Sequence, residues 1–256
     1  MQSGYILRVL LATASLYSCL GPVACLYEAT IMEFLEELRM RMCHPIPNLG
    51  LPALDPLELG PAETAVNNQY LIDFSGSIND FQLKGLSDFV LNTLKINAVP
   101  GIRSTFNITF PYTYFKSLYT AKGSLAYILN LAGDGNAEAS ATNFSFIMSW
   151  KLKLATTLAI TDLQIEILLG DLKMYFQNLM EEERIDNFIH NLINEMGVEL
   201  LGDVWKYEQT KVVAILETVI NRKLPALLQS IIGGGGGGEK PPIFEGVEPD
   251  CKLVNL

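Results

Sequence analysis

From about Tyr70 to Leu179 apolar residues recur at every second position. Phe106, Ile108, Phe110, Tyr112 and Tyr114 alternate with Thr105, Asn107, Thr109 and Thr113. Phe144, Phe146, Met148, Trp150, Leu152 and Leu154 alternate with Asn143, Ser145, Ser149, Lys151 and Lys153, with Ile147 as the exception. Leu125, Tyr127, Leu129 and Leu131 form a third set, closed by the turn signal Asp134-Gly135. Leu163, Ile165 and Ile167, then Leu172, Met174 and Phe176, make two more. Such alternation buries one face and wets the other, which predicts an antiparallel sheet and not a doubly wound parallel one.

Helical spacing flanks this block. Ile31, Leu35, Leu38 and Met42 predict a helix from about Tyr27 to Met42, stopped by Pro45 and Pro47. Ile185, Phe188, Ile189, Leu192, Ile193, Met196, Leu200 and Leu201 keep one apolar stripe, with Glu181 to Glu183 placed at its N-terminus. A second helix is expected from about Asp203 to Ile232, carrying Val212, Leu216, Val219, Ile220 and Leu224, with a kink at Pro225. Gly233 to Gly238 end it and read as a linker before a short tail.

The N-terminus departs from both patterns. Arg8 precedes the apolar run Val9 to Leu20, and small residues follow around Gly21 to Ala24. That run is too short for a bilayer span of about 20 residues and fits a secretory signal peptide, residues 1–24. The expected organisation is therefore signal 1–24, one domain 25–232, and linker plus tail 233–256. Without the signal the chain carries 17 Lys and Arg against 28 Asp and Glu, a net charge of −11. An acidic chain with no basic block repels phosphate backbones and anionic membranes, so neither nucleic acid nor stable membrane insertion is expected. The apolar fraction of 49% excludes intrinsic disorder.

Export agrees with two Asn-x-Ser/Thr sequons, at Asn107 and Asn143, both on the polar phase of their strands, where a glycan is tolerated. Cys19 leaves with the signal, and if cleavage also removes Cys25, Cys43 and Cys251 are the thiols that remain. They pair, or Cys251 stays free, or it joins a second chain; pairing would close a loop worth on the order of 5 kcal/mol in the chain-entropy treatment.

Catalytic chemistry finds little support. The chain has 2 histidines. His44 lies among prolines, and His190 projects roughly 130° from its helix stripe, toward solvent. No Gly-x-Ser-x-Gly, His-Glu-x-x-His or zinc-spaced cysteine pair occurs, so no metal, cofactor or enzyme activity is expected. Asp162, Glu166 and Asp171 near strand ends read as ordinary surface carboxylates.

Four segments carry a resemblance. Gly50-Leu51-Pro52-Ala53-Leu54-Asp55-Pro56-Leu57 resembles the G-[IL]-P-x-L-[DE]-P-L signature of the insect Takeout and juvenile-hormone-binding protein family. Lys84-Gly85-Leu86-Ser87-Asp88-Phe89 is similar to its G-L-S-[ND]-F turn, Phe106 to Pro111 to its F-x-x-x-F-P strand, and Phe176-Gln177-Asn178-Leu179 to its F-x-N-L. The similarity spans about Glu28 to Ile232. It implies an α+β, tubular lipid-binding fold, in which a highly curved antiparallel sheet wraps a long C-terminal helix and encloses an elongated apolar tunnel. It also implies a secreted monomer carrying a small hydrophobic ligand: a terpenoid, a juvenile-hormone-like molecule or a fatty acid. The expected lining is Phe106, Phe110, Tyr127, Phe144, Phe146, Met148 and Trp150 from strands, and Leu216 and Val219 from the last helix. Pattern alone does not separate a hollow interior from a filled one, and a structural or interaction module with a packed core is the alternative.

Overall fold

The protein is described by a computed structural model over residues 28–68, 72–125, 129–154, 158–180, 182–232 and 242–251. The expected signal, Tyr127 and the hexaglycine lie outside these described residues. The alternating block forms one antiparallel sheet of eight strands: β1 (Leu57–Leu59), β2 (Ala62–Asn68), β3 (Ile72–Lys84), β4 (Val90–Lys95), β5 (Arg103–Leu125), β6 (Leu129–Leu154), β7 (Leu158–Leu168) and β8 (Asp171–Phe176). Among the described residues two α-helices accompany it, α1 over residues 28–39 and α2 (Glu183–Ile232). The centre is the pair β5 and β6, in one register from Arg103↔Lys151 to Leu125↔Leu129. β3 and β4 lie on one side of it, β7 and β8 on the other, and the sheet curls without closing on itself.

Three expectations from the pattern are corrected. Asp134-Gly135 is not a turn; it sits inside β6 opposite Thr120 and Tyr119. The glycines there serve close approach: a Cβ on Gly133 would lie 2.5 Å from the Tyr119 hydroxyl and 2.7 Å from the Asn178 carbonyl oxygen. Second, the buried phase shifts by one residue along both central strands. Phe106, Ile108 and Phe110 pack inward on β5, but beyond them Thr113, Ser117, Tyr119 and Ala121 are the buried positions. On β6 the change falls between Phe144 and Ala139. Pro111, which has no N–H, and Asn143, at φ 51°, interrupt the ladder between Phe110↔Phe144 and Tyr112↔Thr142. Tyr112 and Tyr114 therefore border a surface concavity with Glu138 and Lys173.

Third, one helix of 50 residues, about 75 Å long, replaces the two expected. Its packing explains its continuity. α2 lies along the outer edge of β8 and β7, where unpaired backbone groups would otherwise be exposed. The Phe176 N–H donates to His190 Nε2 at 2.9 Å and the Met174 N–H to Asn194 Oδ1 at 2.7 Å. Farther along, Asn221 accepts from the Ile160 N–H and donates to the Ile160 carbonyl, at 2.7 and 2.9 Å. Glu217 accepts from the Leu163 N–H at 3.0 Å, and Gln209 donates to the Ile165 carbonyl at 2.6 Å. His190 is thus 8% exposed, not solvent-facing, because the sheet edge requires a polar partner there.

α1 is held over the other end by a buried carboxylate. Asp55, 2% exposed, accepts the Gly85 N–H (3.1 Å), the Ser87 N–H (2.7 Å) and the Ser87 hydroxyl (2.5 Å). The Met42 carbonyl, just after α1, accepts the N–H groups of Leu54 and Asp55. Arg39 donates to the Phe89 carbonyl at 2.7 Å and lies over the Phe89 ring. The tail then returns to this region. Ile243, Phe244 and Val247 are buried, Phe244 stacks on Phe34, and the fully buried Arg41 donates to the Val247 carbonyl at 2.9 Å. A disulfide joins Cys43 to Cys251.

Candidate functional site

Each of the two helices packs on an apolar cluster of its own. Below α1, Met42, Phe89 and Ile108 are buried, and Phe106, Phe110 and Phe146 pack on them with Leu35, Leu38, Leu54 and Leu86. Below the C-terminal half of α2, Ile160, Leu163 and Ile165 are buried, with Phe146, Met148, Trp150, Trp205 and Leu216 packed around them. Phe146 belongs to both clusters and joins them. Phe144 stacks on Phe110, ring centroids 5.8 Å apart.

Phe106, Phe110, Phe144, Phe146, Met148 and Trp150 therefore form one continuous aromatic floor across β5 and β6. All six are half-buried. Leu216 projects into the second cluster, whereas Val219 stands outside it and is 37% exposed. Tyr127 lies outside the described residues. Trp205, Val213, Ile220 and Leu224 complete the helical side, and the sequence reading did not single out Trp205. The signal was available, since Trp205, Leu216 and Ile220 share one helical face.

Asn107 is half-buried, and its Oδ1 accepts from Asn92 at 3.2 Å. Asn143 is exposed. Asp162 is ion-paired with Arg103 and with Lys151, whose Nζ is 2.8 Å away; the Lys151 hydrogen bond first, then the Arg103 charge, hold its carboxyl below the usual range. Glu166 and Asp171 are exposed strand carboxylates. Two concavities lie on the sheet away from the aromatic floor. One, of about 680 Å³, is lined by Glu63, Ser75, Ser77, Thr120 and Lys122; the other, of about 300 Å³, by Tyr112, Tyr114, Glu138, Lys173 and Tyr175. No described helix is long and apolar enough to cross a membrane.

An apolar floor packed beside both helices suits the sequestration of apolar matter. The fold has a solved relative. Takeout 1 of Epiphyas postvittana superposes over 77% of this chain and 88% of its own, with a TM-score of 0.54 and 15% identity. A lipopolysaccharide binding protein aligns over 77% of this chain and 38% of its own, with a TM-score of 0.38 and 11% identity. No curated protein matches the chain in sequence. The sequence profile described as "Haemolymph juvenile hormone binding protein (JHBP)" matches residues 24–226. With the four landmark segments, the curled antiparallel sheet and the long C-terminal helix all in place, the chain belongs to the Takeout and juvenile hormone binding protein family of hydrophobic-ligand carriers and has its tubular lipid-binding fold.

Proposed function

We propose that this protein is a secreted carrier that holds one small hydrophobic ligand between the aromatic floor of the sheet and the two helices. The observation that carries this reading is the floor itself: six apolar side chains along β5 and β6, clustered with residues of both helices yet only half-buried. Their spacing along β5 and β6 suits an elongated ligand, a terpenoid or a fatty acid, and the family's name points to juvenile hormone as one such molecule. A ligand of roughly fifteen carbons gains about 12 kcal/mol gross from burial. Association costs several kcal/mol of that, which leaves micromolar to sub-micromolar affinity. No catalytic step is part of this proposal. Residues 1–24 serve as the signal, 25–232 as the binding domain and 233–256 as linker and tail, the last anchored by Phe244 and the disulfide. Asn107 and Asn143 are the glycan acceptors, and the carrier acts as a monomer.

The competing reading, a filled core serving an interaction role, draws on the two concavities, neither of which is lined by the aromatic floor. Native mass spectrometry of protein purified from its own secretions separates the two. A co-purifying lipid that solvent extraction removes supports the carrier; a bare mass, with no uptake from a panel of terpenoids and fatty acids, favours the filled core.

A further inference from the structure

The geometry points to a second binding site, for a soft divalent cation such as zinc, made by Cys43, His44, Asp250 and Cys251 once their disulfide is reduced. One ligand atom from each of these four residues lies within 4.8 Å of every other. His44 Nε2 is 2.6 Å from Asp250 Oδ1, and the Cys43 N–H points at Cys251 Sγ at 3.0 Å. Two thiolates, an imidazole and a carboxylate fill the four tetrahedral positions that zinc prefers, and the sulfur pair selects it over calcium or magnesium. Bond lengths of about 2.0–2.3 Å place such ligand atoms roughly 3.3–3.8 Å apart, a displacement of about an ångström from their present positions. His44 and Asp250 are 40% and 68% exposed, which leaves the site open to an incoming ion.

Reduction does not by itself scatter these groups. The tail is fixed beside residues 40–46 by contacts that need no S–S bond. The Cys251 N–H donates to the Met40 carbonyl at 3.1 Å, Arg41 holds the Val247 carbonyl, and Phe244 with Ile243 packs on Ile46. An external dithiol supplies the electrons: it becomes a disulfide, and the Cys43–Cys251 bond takes up its two electrons and two protons. Zinc then displaces both thiol protons to solvent. The clasp between tail and α1 thus has a covalent state and a metal-bound state. No spacing rule could expose it, because the cysteines are 208 residues apart.

The test uses the full chain carrying Cys19→Ser and Cys25→Ser, so that only this pair reports. Oxidised protein, and protein reduced with a dithiol and desalted anaerobically, are titrated with cobalt(II) alone. The reduced chain should bind one equivalent with thiolate-to-cobalt charge transfer and tetrahedral visible bands, and zinc should displace it. The oxidised chain should show neither. His44→Ala and Asp250→Ala should each weaken binding about tenfold or more. Zinc should also slow alkylation of both cysteines in the native chain but not in denaturant, which separates a folded site from thiols on a loose tail. Absence of the thiolate band, or affinity untouched by His44→Ala and Asp250→Ala, overturns the site.

Discussion

A buried carboxylate is tolerated only when hydrogen bonds replace its water, and Asp55 receives three, from Gly85 and Ser87. Gly85, at φ 92°, supplies the backbone that aims its N–H there. Asp55→Ala should strand those donors and cost about 3 kcal/mol or more, read as a lower urea midpoint. An unchanged midpoint would show that the clamp is not needed to hold α1. Tyr119 offers a test in pH. Burial, ahead of the Asp186 and Asp134 charges, pushes its phenol from 10.0 up to about 12, and its hydroxyl donates to the Gln177 carbonyl at 2.7 Å. Between those two values the unfolded chain has released a proton that the folded chain keeps. Stability is therefore full below about pH 10 and falls as pH rises toward 12. Tyr119→Phe should cost about 1 kcal/mol at neutral pH and flatten the alkaline decline. A decline of equal slope in both proteins would assign the loss to other groups. Asp55 and the Gly85–Ser87 turn were both visible in the sequence as landmark segments. Their mutual contact was not, because the whole of β1, β2 and β3 lies between them in the chain.

At the level of elements, α2 does two jobs with different chemistry. Ile185, Ile189 and Ile193 pack on the Tyr119 cluster, whereas Trp205, Val213, Leu216, Ile220 and Leu224 pack on the Ile160 cluster. At 100° per residue the mean directions of these two sets differ by roughly 150°. A single stripe fitted to the first half therefore places His190 in solvent and breaks the helix near Asp203, as the sequence reading did. The polar residues that cap the sheet edge, Asn194, Gln209, Glu217 and Asn221, look like an ordinary wet face until the strands they serve are known. Asn221→Leu removes both partners of Ile160 in one change. It should cost about 2 kcal/mol and speed hydrogen exchange at the β7 amides more than at β5. Uniform acceleration across the sheet would mean that α2 acts through global stability alone.

Across the whole molecule, period-2 patterning placed the aromatic floor on the helix-covered face, and the landmark segments identified the architecture. Pairing of Cys43 with Cys251 was among its open alternatives; what escaped it were events needing a third dimension, the phase shift at Pro111 and Asn143 and the return of the tail that stacks Phe244 on Phe34. That return gives the disulfide a loop long enough to contribute on the order of 5 kcal/mol, so Cys251→Ser should lower thermal stability while Phe244 and Ile243 keep the tail docked. The carrier reading meets its most direct test on α2, where Leu216 packs over the floor and Val219, three residues on, stands outside the cluster. Leu216→Trp fills space above Trp150 and Met148 and should weaken binding of a fluorescent fatty acid or terpenoid about tenfold, equivalent to about 1.4 kcal/mol. Val219→Trp should change affinity by less than about twofold if only the cluster side lines the ligand, and circular dichroism should show both variants folded. Weakening by both would extend the ligand around the helix to the exposed Val219 side. Weakening by Val219→Trp alone would move the site off the aromatic floor, and no binding by the unmodified chain would leave the filled core as the reading that stands.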